Sequence, residues 1–136
     1  MRRLAVTLGA ALSLALAGCS DSTGPRAGLA GTYTLRTVNG QALPAVVSSF
    51  STLTAGQVRL NGDGTFSASH TSRQTTPGGT TTVTQNITGM YTRSGNDLML
   101  SFTDPDSGGS AFVDASWDGG RQLTVNDGFA AYVYRK

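Results

Sequence analysis

Apolar residues follow two regimes along this 136-residue chain. Residues 4–16 are a continuous apolar run behind Arg2 and Arg3, and from Leu29 onward apolar positions recur every second residue. Period two is the signature of strands with one buried face. Residues 31–38 place Tyr33 and Leu35 on one face and Thr32, Thr34 and Arg36 on the other, and Asn39-Gly40 signals a tight turn. Residues 41–43 run up to Pro44, which stops them. Residues 45–53 allow two readings, one or two turns of helix closing a barrel end or a weak edge strand. Residues 57–60 form a strand with Val58 and Leu60 inward. Asn61-Gly62-Asp63-Gly64 turns it into 65–73, where Phe66, Ala68 and His70 share a face.

Residues 74–79, with Pro77-Gly78-Gly79, read as an exposed loop. Residues 80–88 put Val83, Gln85 and Ile87 on one face against a Thr/Asn row, and 89–93 read as a separate strand after a bend. Residues 97–103 aim Leu98, Leu100 and Phe102 one way. The loop 104–109 and segments 110–117, 121–125 and 129–135 complete the set. About eight segments joined by turns predict an all-β fold, a small antiparallel up-and-down meander barrel whose interior is filled or holds one small ligand.

The start of the chain has the layout of a secretory signal: basic residues, an apolar run, then small residues. The run is too short to cross about 30 Å of hydrocarbon, which takes roughly 20 residues. Its end, Leu16-Ala17-Gly18-Cys19, resembles the bacterial lipobox. The resemblance implies cleavage before Cys19, a diacylglycerol on its thiol and an N-acyl chain such as palmitate on its new amino group. Residues 1–18 are then a signal peptide with lipobox, 19–28 a lipidated Cys and flexible tether, and 29–136 the folded domain. The implied partner is a bacterial membrane, reached through the lipid, with the domain facing the periplasm. Ser20 rather than Asp follows the Cys, which favours the outer membrane over the inner. Cys19 is the only Cys, so no intrachain disulfide can form, and two or three acyl chains make a stable anchor.

Charge changes once the signal is removed. The chain has ten basic and eight acidic residues. Arg2 and Arg3 leave with the signal, so the mature chain balances and lacks the electrostatic footprint of a nucleic-acid binder. Glu is absent, Lys occurs once, and nineteen Thr and eighteen Gly favour strands and turns.

Gly31-Thr32-Tyr33 opening the first strand, Asn61-Gly62-Asp63-Gly64-Thr65-Phe66 at a hairpin and Tyr132-Val133-Tyr134-Arg135 closing the last make residues 29–136 similar to lipocalin-like domains of bacterial lipoproteins and to calycin barrels generally. That resemblance puts Tyr33 where lipocalins carry a Trp in the first strand. It implies a cation laid across the ring, a Tyr33–Arg135 pair or one made by Arg121.

Candidate chemistry is sparse. His70 is the only His, and without a second His, a Glu or a Cys in the domain it builds no usual zinc site. No Gly-x-Ser-x-Gly elbow accompanies it. Asp104, Asp106 and Gly109 echo a calcium loop without its later ligands, and the same residues are ordinary turn formers. A ligand pocket would lie among inward side chains, with Gln85, Ala68 and His70 leaving space and Trp117 and Tyr91 lining one end. The candidate ligand-binding residues are Tyr33, Phe66, His70, Gln85, Ile87, Tyr91, Phe102 and Trp117. The reading is a non-enzymatic, lipid-anchored envelope protein binding a small apolar ligand, with no metal or other cofactor. The alternative is a filled barrel that works from its surface as an inhibitor or scaffold, through the polar hairpin 73–82 and the loop 104–109. A void above roughly 300 Å³ is the range expected of a ligand site.

Overall fold

Residues 28–136 are described by a computed structural model. The signal peptide, the lipobox, Cys19 and nearly all of the tether lie outside them. Ten strands follow in chain order: β1 Gly31–Val38, β2 Gln41–Ala42, β3 Ala45–Ser48, β4 Ser51–Leu60, β5 Thr65–Thr76, β6 Gly79–Ser94, β7 Asp97–Thr103, β8 Ser110–Trp117, β9 Gln122–Asn126 and β10 Ala131–Arg135. From β4 to β10 each strand pairs antiparallel with the next, and β10 pairs with β1. The pairing of β1 with β4, from Gly31↔Leu60 to Thr34↔Gln57, closes the ring. The result is an eight-stranded up-and-down barrel with no open edge along its main wall.

β1 is the closing strand and the least regular. Its ladder with β10 slips between Leu35 and Thr37, inserting Arg36 as a bulge. The extra residue shifts the alternation, so Tyr33 and Leu35 point inward before it and Val38 after it. Beyond Thr34 the strands β1 and β4 no longer pair. The gap is covered by β2, which pairs with β1, and by β3, which pairs with β4, joined through a cis Leu43–Pro44 peptide. Residues 45–53 are thus two strand segments joined by a turn at 49–50, and the helical alternative is set aside. An inward Ala45 against Leu53, both buried, is what holds β3 there.

The β5–β6 ladder is longer than its sequence suggests. It runs unbroken from Thr65↔Met90 to Thr76↔Gly79, so residues 89–93 are no separate strand and 74–79 are no loop but the tip of a hairpin. The first follows from Gly89 pairing in register with both Phe66 and Phe102, which carries β6 through without a break. The second follows from exposure: a hairpin exposed on both faces needs no apolar alternation, and threonines hold this one across the ladder, Thr71 to Thr84 at 3.0 Å and Thr75 to Thr80 at 3.3 Å. Val83, expected inward, stands beyond the barrel rim and is 40% exposed.

The end where β1 starts is packed solid. Leu29, Tyr33, Leu60, Tyr91, Leu98, Trp117, Leu123 and Tyr134 are buried there or just above. Three aromatics at this end direct their polar tips onto loop carbonyls. Tyr33 Oη donates to Leu29 O at 2.5 Å, Tyr91 Oη to Asn61 O at 2.6 Å and Trp117 Nε1 to Gly120 O at 3.2 Å. The cation over the Tyr33 ring is Lys136, whose Nζ lies 5.0 Å from the centroid and donates to the carbonyls of Gly28 and Ala30. This replaces the expected Tyr33–Arg135 pair, and alternation explains it. Arg135 follows the inward Tyr134, so it points out and donates to Gln122 Oε1 at 3.1 Å. Arg121 is likewise turned out, onto the carbonyl of Lys136. A second cation, Arg93, lies 4.8 Å over the Trp117 ring.

Gly89 sits in the barrel wall between β5 and β7, paired with Phe66 on one side and Phe102 on the other. A Cβ there would lie 2.1 Å from the Ser101 carbonyl oxygen and 2.8 Å from the Phe66 ring. Phe66 and Phe102, its partners on either side, meet edge to face at 6.3 Å. Gly89→Ala is therefore expected to cost about 2 kcal/mol or more, read as a lowered urea midpoint, because backbone and not a flexible side chain must move. An unchanged midpoint would mean the wall has slack at this point.

Candidate functional site

Above the packed end the interior does not fill. Between the strands lies a cavity of about 210 Å³, lined on its apolar side by Val58, Phe66, Ala68, Ile87, Leu100, Phe102, Val113 and Val125. Its polar side is His70, Gln85, Asp127, Tyr132 and Tyr134. Strand pleating accounts for most of this set. Phe66, Ala68 and His70 are alternate residues of β5; Gln85 and Ile87 face them from β6, through the His70↔Gln85 and Ala68↔Ile87 pairs. Ala68 is the one small residue in this lining and leaves room on the β5 wall. Gly56, beside His70 in the ladder, lets the imidazole lie close to β4: a Cβ there would fall 2.8 Å from His70 Cδ2 and from Leu35 Cδ2.

His70 is held from two directions. Its Nε2 is 2.6 Å from Tyr134 Oη, and its ring stacks on Tyr132 at 5.7 Å and on Tyr134 at 6.2 Å between centroids. Burial lowers its pKa below the usual value, and the nearby Asp127 carboxylate works weakly against that. Burial also raises the two tyrosines, Tyr132 to about 12 and Tyr134 further. Tyr132 Oη donates to Asp127 Oδ2 at 2.9 Å, while Asp127 Oδ1 accepts from the backbone N–H of Phe129 and Ala130. Gln85 differs from these. Its side-chain amide makes no hydrogen bond to any described residue.

Of the candidate ligand-binding residues, Phe66, His70, Gln85, Ile87 and Phe102 come together around this cavity. Tyr33, Tyr91 and Trp117 do not; they plug the opposite end, so Tyr91 and Trp117 line no pocket mouth. Asp127, Tyr132 and Tyr134 were not among the candidates. The two tyrosines share the inward phase of β10 and were open to recognition by period two, but Asp127 sits in a turn whose composition reads only as a turn.

Other concavities lie outside the barrel. One of about 820 Å³ runs over outward side chains of β1, β9 and β10, among them Arg36, Gln122 and Arg135, and a shallower one of about 400 Å³ crosses β4 to β6. The loop after β7 serves itself. Asp104 Oδ1 accepts from the Asp106 N–H and Oδ2 from Ser107 Oγ, bonds that hold its carboxyl below the usual range. Among the described residues no three His, Cys, Asp or Glu gather where a metal ion would bind.

Because the fold lowers the His70 pKa, the unfolded chain takes up a proton first as pH falls through about 6.5. The contribution of neutral His70 is whole above that value and is lost as pH drops below it. The stability advantage of the wild type over His70→Gln is expected to shrink between pH 7.5 and 5, measured by urea unfolding across the range. A constant difference would show that His70 is as easily charged folded as unfolded.

No known family and no curated protein sequence matches this chain. Solved structures do. A lipocalin-like protein from Bacteroides uniformis aligns with TM-score 0.47 and 16% identity, covering 80% of this chain and 98% of that one. An uncharacterized protein from Bacteroides eggerthii aligns with TM-score 0.44 and 12% identity, over 79% and 98%. The fatty-acid-binding protein of Manduca sexta aligns with TM-score 0.35 and 20% identity, over 80% and 99%. None is near enough to pass a function to this chain, which leaves that question to the cavity's own residues.

Proposed function

We propose that the barrel binds one small, mostly apolar molecule in its interior without acting on it, and that it does so tethered by lipid on Cys19 to a bacterial envelope membrane. The observation that carries the first part is the 210 Å³ cavity, walled by apolar side chains with a few polar groups gathered on one side. It falls short of the roughly 300 Å³ expected of a ligand site and amounts to about seven water volumes at ~30 Å³ each, so the guest is a small one. That suits a medium-length alkyl chain or one or two rings. The second part is supported by the signal layout and the Leu16-Ala17-Gly18-Cys19 sequence, with Ser20 favouring the outer membrane. A surface-acting module is the second reading, favoured by the β5–β6 hairpin, whose exposed tip stands clear of the barrel.

The neutral fluorophore N-phenyl-1-naphthylamine is expected to brighten on binding the wild-type protein. Ala68→Leu fills the cavity from its β5 wall and should weaken that binding about tenfold or more, ~1.4 kcal/mol, with the thermal midpoint held or raised. Equal binding by the variant would place the fluorophore elsewhere and count for the surface reading. For the anchor, intact mass of the protein from membranes is expected to show a chain beginning at Cys19 plus acyl chains. Cys19→Ala should move it from the detergent phase to the aqueous phase; an unmodified thiol in the native protein would refute the tether.

A further inference from the structure

The cavity's polar side specifies more than a hydrophobic guest. Of the residues that line it, Asp127 alone bears a formal charge at neutral pH, and none is Lys or Arg. Four of the domain's seven cations are engaged elsewhere, Lys136 over Tyr33, Arg93 over Trp117, Arg135 on Gln122 and Arg59 on Asn61, and Arg36, Arg73 and Arg121 do not line the cavity either. His70 is the one group able to become positive within the cavity. It is flanked by Gln85 on β6 and Gly56 on β4, its two ladder partners, and meets Tyr132 and Tyr134 from β10 and Asp127 from the β9–β10 turn. Its Nε2 is already tied to Tyr134, and burial holds the ring toward its neutral form.

Asp127 stands exposed at the rim of the cavity, so an anionic end group held there would give up part of its hydration beside a carboxylate with no lining cation to offset it. A cationic end group would be drawn by the Asp127 charge but would trade its full hydration for the one acceptor position left there, since Oδ1 already takes two backbone N–H groups and Oδ2 takes Tyr132. Gln85 remains. Its amide has both a donor and an acceptor, makes no hydrogen bond to a described residue, and lies beside His70 in the cavity lining.

We propose that the cavity selects a ligand whose polar end is neutral and hydrogen-bonding, a hydroxyl, ester or amide held by Gln85, and that Asp127 turns away the matching carboxylate. The inference rests on the reading of the cavity as a ligand site and deepens it.

Three ten-carbon competitors that differ only at the polar end separate the two. Decan-1-ol, decanoate and decylammonium, each below its micelle concentration, would be titrated against bound N-phenyl-1-naphthylamine at pH 7.5 on the full chain. Decan-1-ol is expected to displace the fluorophore at a concentration about tenfold or more below that needed of decanoate, ~1.4 kcal/mol. Asp127→Asn keeps an oxygen for the Phe129 and Ala130 N–H groups and should narrow that ratio, while Gln85→Leu should weaken decan-1-ol about three- to tenfold, the worth of one hydrogen bond. Thermal midpoints of both variants confirm that they fold. Decanoate or decylammonium matching decan-1-ol, or a ratio unmoved by Asp127→Asn, would overturn the selectivity while leaving a ligand cavity. Failure of the fluorophore itself to bind, seen before any competitor is added, would overturn the cavity reading and this inference with it.

Discussion

The barrel depends on how its sealed end satisfies three buried aromatic side chains. Tyr33, Tyr91 and Trp117 each bring a large apolar body and one polar atom into the interior, and each places that atom on a main-chain carbonyl of a different closing segment. Leu29 belongs to the segment entering β1, Asn61 to the β4–β5 turn and Gly120 to the β8–β9 turn. Buried hydroxyl and indole groups left unpaired would cost roughly 1–3 kcal/mol each. Paired this way, they fasten three loops across the mouth of the strand ring. Lys136 completes the seal, tying the end of β10 to the carbonyls of Gly28 and Ala30. With one end closed by side chains and loops together, the strand ring has only its other half in which space can remain.

The same residue type serves a different end higher in the barrel. Tyr134 is as buried as Tyr33, but its hydroxyl meets the His70 ring rather than a loop carbonyl. Main-chain carbonyls are held by the fold, whereas a tyrosine–histidine pair answers to its surroundings: to pH, to burial and to whatever occupies the cavity beside it. Gly56 makes the pair possible, because a side chain at that position would fill the place of the His70 edge. A structural tyrosine and a site tyrosine are thus told apart by what their hydroxyls touch.

Period two was enough to read the all-β meander, its strand count and the inward placement of Tyr33, Leu35, Val58, Leu60, Phe66, Leu98 and Leu100. It failed where the constraint is long-range. The Arg36 bulge is set by closure against β10, which local sequence does not carry. The length of β6 depends on threonine pairs with β5, since a hairpin exposed on both faces has no apolar rhythm to follow. The partner of Tyr33 was within reach, because Arg135 falls on the outward phase of β10 and Lys136 on the inward one. Which inward residues seal and which line a cavity was not. Tyr91 and Phe102 both point inward from neighbouring strands, and only the stagger of the β6–β7 ladder, Gly89↔Phe102 against Tyr91↔Leu100, puts them at different heights.

A cavity of this size is not neutral to stability. It is open to solvent on the side where Asp127 stands exposed, so it holds water rather than empty space. Water beside Gln85 and Asp127 finds polar partners, but water against Phe66, Ile87 and Phe102 is poorly accommodated, and its release is what drives an apolar guest inward. Ala68 stands where a larger side chain would remove the problem by filling the space. The sealed end shows that this chain packs aromatics tightly where loops can meet their polar atoms. Smallness at Ala68 is then the feature that separates a barrel able to admit a guest from a filled one.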